Sequence, residues 1–176
     1  MKRVARPTLA ILALLFAGAH LRHAAAADGA SATSATIAAD SVDVQHVMDA
    51  YHDAVASHDG ARLAALFLPK GGAWLNVLSD QAYALARAKS ADAVKVRVGS
   101  YADFAQLVST AKADFNPTHS HVQMSSDGTI ASVYFDFVFL IDGTEQNRGS
   151  EAWQLVKGSE GWRIAAITYS SNPRRQ

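Results

Sequence analysis

IASVYFDFVFLI (130–141) is the most apolar of the strand-like segments, and its reading decides the fold. Side chains alternate across a strand with period two. Ala131, Val133, Phe135, Phe137 and Phe139 therefore form one face, and Ser132, Tyr134, Asp136 and Val138 the other. Both faces carry apolar residues, so neither is expected to stand fully in water. Further strands are predicted over 119–124, 147–157 and 162–170. They are separated by Ser-Asp-Gly (126–128), Asp-Gly (142–143) and Gly-Ser-Glu-Gly (158–161), which are hairpin signals. Four consecutive strands joined by tight turns make an antiparallel meander.

The residues before the meander read mainly as helices. Val44, Val47, Met48, Tyr51, Ala54 and Val55 recur at helical spacing over 41–57, with Asp40 or Ser41 as candidate cap. A second helix over 60–67 carries Leu63, Leu66 and Phe67, and Pro69-Lys70-Gly71-Gly72 stops it. A strand is predicted over 73–78, and the alanine-rich 79–90 supports helix or strand. Val94, Val96 and Val98 alternate with Lys95 and Arg97 as a short half-exposed strand. Ser100 and Asp103 form a capping box for a helix that Asn116-Pro117 closes. Helices first and a meander last is an α+β order, unlike the alternation of a parallel sheet.

The N-terminus carries an address. Lys2, Arg3 and Arg6 precede the apolar run LAILALLFAGA (9–19), and Ala24 to Ala27 offer a small-residue cleavage site. This describes a secretory signal peptide over 1–27, since a membrane span needs roughly 20 apolar residues. The expected destination is periplasmic or secreted, with no stable membrane insertion after cleavage. Residues 28–40 (DGASATSATIAAD) read as a flexible leader, and 41–173 as the folded domain.

The chain has 176 residues, 49% of them hydrophobic and 18% charged, a globular profile for one domain. It has no cysteine, which excludes disulfides, thiolate metal sites and a cysteine nucleophile. Cleavage after Ala27 removes Lys2, Arg3, Arg6 and Arg22 and no acid, leaving a net charge of −4. That balance argues against nucleic acid as a partner.

Tyr51, Asp59, Leu63 and Phe67, a following strand, then Gly161-Trp162-Arg163-Ile164 and Tyr169-Ser170-Ser171 form a spaced pattern. It resembles the nuclear transport factor 2-like superfamily, which includes ketosteroid isomerase and the SnoaL-like cyclases. The resemblance covers 42–173. It implies a cone-shaped α+β barrel, N-terminal helices packed in a curved antiparallel sheet, a pocket between them, and a homodimer through the sheet. The isomerase's helix-1 tyrosine falls on Tyr51, with Asp59 at the matching spacing. Its general base falls among Trp74, Leu75 and Asn76, none of which accepts a proton at neutral pH. Its second donor falls on Trp153 or Gln154.

Tyr51, Trp74, Trp153 and Tyr169 are expected to line a cavity with their polar tips fixing a ligand. Asn76, Tyr134 and Gln154 complete the candidate lining. His119 and His121 share a strand face by period two and are candidate proton carriers. Asp136 interrupts an apolar strand and is the acid to watch. His46, Asp49, His52 and Asp53 have helical spacing suited to a metal, but lie opposite the apolar stripe and read as a solvated face. No metal or cofactor is expected. The function expected is binding of a small hydrophobic molecule, the alternatives being an isomerase, dehydratase or hydrolase of a small cyclic substrate, or a dimerisation module.

Overall fold

The structure is a computed structural model that describes the backbone of residues 21–173 and the side chains of residues 38–173. Most of the signal-peptide segment, residues 1–20, lies outside the described residues. The chain divides into a unit of residues 1–35, helical where described, and a unit of residues 36–176 that holds the sheet and the site.

Helix α1 (Leu21–Ala56) begins ahead of the Ser41 start that apolar spacing predicts. Residues 28–40 are rich in alanine and contain no proline, so their backbone has no strong reason to leave the helix. Asp40 consequently is not a cap. It is 1% exposed, and Lys157 donates to its Oδ1 at 2.7 Å. Val44, Met48, Tyr51, Ala54 and Val55 are buried, as the stripe predicts.

Helix α2 (Gly60–Ala65) opens on Asp59, whose Oδ1 accepts from the Arg62 N–H at 2.8 Å. It packs on α4 (Tyr101–Thr110) so closely that a β-carbon on Gly60 would sit 2.1 Å from the Ala105 carbonyl oxygen. The ambiguous segment resolves as helix α3 (Asp80–Lys89), capped by Ser79. Ser100 caps α4 by accepting from the Asp103 N–H at 3.0 Å. Asn116-Pro117 does not close that helix. α4 ends at Thr110, and both residues belong to the following strand, where Pro117 is buried.

Six strands form one curved, unclosed sheet: β1 (Trp74–Leu78), β2 (Val96–Gly99), β3 (Phe115–Ser126), β4 (Ile130–Ile141), β5 (Thr144–Gly158) and β6 (Gly161–Ser171). The spatial order is β2-β1-β6-β5-β4-β3. β3 to β6 are the antiparallel meander, while β1 runs parallel to β6, with Asn76 opposite Tyr169. Edge strand β2 is exposed along its whole length, with Val98 82% exposed, rather than half-buried.

Strand β4 alternates as period two demands. Ala131, Val133, Phe135 and Phe137 are buried against the helices, while Ser132, Tyr134 and Asp136 are exposed on the outer face. The core joins α1, α2 and α4 to the inner face through Met48, Leu63, Val108, Trp153 and Ile167. Among the described residues no helix is long and apolar enough to cross a membrane.

Candidate functional site

The inner face of the sheet and helices α1 and α4 enclose a cavity of about 250 Å³. α1 contributes Tyr51, buried because it falls on the apolar stripe; α4 contributes Phe104 and Leu107. β4 sends in Phe135, Phe137 and Phe139 at period two. β5 sends in Asn147, Glu151 and Trp153, β6 Tyr169, β3 Pro117 and His119, and β1 Trp74. Ring centroids of Tyr51 and Trp153 are 5.0 Å apart, those of Phe135 and Trp153 5.4 Å, and Tyr51 stacks on Phe104 at 6.3 Å. Such interlocking fixes the ring planes and holds the wall rigid.

Glu151 is the acid of this cavity. It lies between Phe135 of β4 and Tyr169 of β5's other neighbour, β6. Its Oε1 accepts from Trp153 Nε1 at 2.5 Å. Removal from water pushes the carboxyl up to about 7, against which the indole hydrogen bond acts weakly. The same burial, with Glu151 nearby, pushes the Tyr51 phenol well above its ordinary range. Tyr169 is also raised by burial, opposed by hydrogen bonds from Asn76 and Trp74.

His119 is half-buried, its ring 5.4 Å from Phe135 and 6.0 Å from His52. Burial first, then His52, lowers its pKa, while Asp49 opposes the shift. His52 is itself held by a 2.6 Å contact between its Nδ1 and the Pro117 carbonyl. Asn147 is oriented without ambiguity. Its side-chain oxygen accepts from the Asn172 N–H at 2.9 Å and the Ser171 hydroxyl at 3.1 Å, so its NH₂ is the end left for the cavity.

Of the residues singled out from sequence, Tyr51, Trp74, His119, Trp153 and Tyr169 meet at this cavity. Asn76 adjoins it through Tyr169. His121, Tyr134, Asp136 and Gln154 are elsewhere, on the outer face. There His121 Nδ1 is 3.1 Å from Asp136 Oδ2, Ser150 donates to Asp136 Oδ1 at 2.8 Å, and Ser132 donates to Gln154 at 3.0 Å. The two histidines do not share a face. A bulge shifts the β3–β4 register between Ser120 and Gln123, and His121 takes φ +54°, which breaks the alternation.

Glu151 and Asn147 are not among the site residues expected from sequence. The signal for Glu151 is its position two residues before Trp153, which puts both on one face. Among the described residues no group of three or more His, Cys, Asp or Glu side chains is placed to hold a metal ion.

No protein-family model matches the chain, and no curated protein matches it in sequence. Solved structures do match in shape. A candidate scytalone dehydratase from Novosphingobium aromaticivorans DSM 12444 superposes with TM-score 0.58 at 14% identity, covering 79% of this chain and 88% of that one. An NTF2-like protein of unknown function from Shewanella baltica OS155 gives TM-score 0.54 at 13% identity, covering 78% and 97%. An NTF2-like protein with a cystatin-like fold from N. aromaticivorans gives 0.55 at 14% identity, covering 86% and 90%. At such identities the likeness is one of fold, and fold alone assigns no activity. The chain has the nuclear transport factor 2-like fold.

Proposed function

We propose that this is an exported protein that binds a small, largely apolar ring compound in the cavity between the sheet and helices α1 and α4. The observation that carries the reading is the enclosure itself. Eight aromatic side chains wall a space of about 250 Å³, and a few polar groups, Glu151, Tyr51, Asn147 and His119, converge on it. Apolar walls with sparse, fixed polar groups are the ordinary build of a small-molecule site. The volume lies just below the usual range for such sites, so the ligand is about the size of one or two rings. A homodimer through the outer sheet face is part of the proposal, supported by Ile130 and Tyr134 exposed on β4. Export rests on the N-terminal pattern of Lys2 to Ala27.

The test is native mass spectrometry of the secreted chain, with thermal-shift screening against small ring compounds. Retained ligand or saturable stabilisation supports the proposal. Neither, over a broad set of such compounds, sinks it.

A second reading has its own observation: Glu151 and His119 line one cavity, where burial raises the carboxyl to about 7 and lowers the imidazole from its ordinary value. An acid and a base held apart in an apolar site suit proton transfer, as in an isomerisation or dehydration of a small cyclic substrate. Two fold neighbours carry dehydratase names, which is compatible with this reading. An isomerase's base would fall among Trp74, Leu75 and Asn76, none of which accepts a proton, so the proton acceptor here would be His119. Solvent deuterium entering the carbon beside the carbonyl of a bound cyclic ketone, and its loss in Glu151→Gln and His119→Gln, would support catalysis. Binding without exchange would leave a carrier.

A further inference from the structure

We infer that the cavity takes a small organic cation, an amine or quaternary ammonium on an apolar body, with Glu151 as counter-ion and the aromatic walls as its cage. This rests on the reading of the cavity as a ligand site and adds the charge of the ligand. Glu151 is an acid on the inward face of a central strand, yet the group donating to its Oε1 is the neutral indole of Trp153. Among the described residues no lysine or arginine lines the cavity. A carboxyl in such a place is expensive to ionise, and the cost is offset when a cation arrives beside it.

The walls favour the same sign. Aromatic ring faces carry partial negative charge and attract a desolvated cation. Tyr51, Trp153 and Phe135 are consecutive contacts around Glu151's end of the cavity, with centroids 5.0 and 5.4 Å apart. An anion would find a carboxyl, ring faces and no fixed positive charge. A neutral ligand would use the rings and meet the carboxyl only as a protonated hydrogen-bond donor.

The other titratable groups around Glu151 do not reverse this. Tyr51 on α1 and Tyr169 on β6 are held in their neutral form by burial. His119 on β3 has a lowered pKa, so it is uncharged at neutral pH. Arg97 on β2 acts on Tyr169 and is not among the lining residues. A cation must displace the Glu151 proton. Affinity should therefore rise with pH until the carboxyl is ionised, then level off.

The experiment compares choline with its neutral isostere, in which a tert-butyl group replaces trimethylammonium, by calorimetry on the secreted chain. Choline should bind at least ~10-fold tighter than the isostere near pH 8, through the Glu151 carboxylate and the ring faces together. Its advantage should shrink as pH falls toward about 6, where the carboxyl keeps its proton. Protonation of His119 would repel the cation in the same direction, and Glu151→Gln separates the two. That variant should remove most of choline's advantage over the isostere and its pH dependence, the ring faces keeping the remainder. If Glu151→Gln is poorly folded, the pH dependence of wild type with His119→Gln as control carries the test. Equal affinity for both probes, or choline binding indifferent to pH and to Glu151→Gln, overturns the cation assignment while keeping the ligand site. Binding of neither probe also overturns it, and the ligand site itself falls only if neutral ring compounds fail too.

Discussion

Glu151 and Trp153 stand two residues apart on the inward face of β5, and the indole N–H of Trp153 donates to the Glu151 carboxyl at 2.5 Å. A strand places i and i+2 on one face, so this pairing is local in sequence. What makes it consequential is the cavity framed by α1 and α4, whose walls remove much of the water around the acid.

The contribution of Glu151 to stability should fall as pH rises from about 4.5 to 7. The Glu151 carboxyl lies at about 7 when folded and 4.5 ordinarily, so over that window the folded state holds a proton the unfolded chain has released. The loss is of the order of a few kcal/mol at its upper limit. Melting temperature against pH should show this slope in wild type and a flatter one in Glu151→Gln. An unchanged slope in the variant would contradict the assignment.

His119 should titrate below 6.5 in the folded protein, since burial and His52 both disfavour its imidazolium. The unfolded chain then binds the proton more readily, so this group contributes stability above 6.5 that is lost as pH falls through that range. Histidine NMR shifts followed by pH give the midpoint directly. His52→Ala should move it upward.

Gly60→Ala should destabilise the protein by about 1–3 kcal/mol, because its β-carbon would meet the Ala105 carbonyl and the Ser109 hydroxyl oxygen at 2.1 Å. The two short helices would have to part. Differential scanning calorimetry should show a fall of roughly 3–10 °C.

Lys157→Met should cost about 1–3 kcal/mol by leaving the buried Asp40 carboxylate without its 2.7 Å partner. Lys157 is itself 38% exposed along its side chain, which keeps the loss below that of a wholly buried pair. The double variant Asp40→Leu with Lys157→Met should recover most of the loss. Urea unfolding of the three variants, read as a double-mutant cycle, measures the coupling.

Much of the architecture is legible in the residues because it depends on local periodicity. The alternation in β4, the stripe from Val44 to Val55 and the cap at Ser100 each follow from spacing along a few residues. His121 shows where that logic stops. One bulge at 120–123 reverses a face, and nothing in the two histidines' spacing announces it. Asp136 shows the same limit. Its strand fixes that it opposes Phe135, but which face meets the helices is settled by packing.

The sequence by itself determined the order of helices and strands, the hairpin positions and the aromatic content of one sheet face, since these rest on dihedral preferences and burial of apolar side chains within short windows. Only the tertiary structure decided that Glu151, and not Asp136, is the acid inside. The environment of a carboxyl is made by elements distant in the chain, here Tyr51 of α1 and Tyr169 of β6, and desolvation depends on their closure around it.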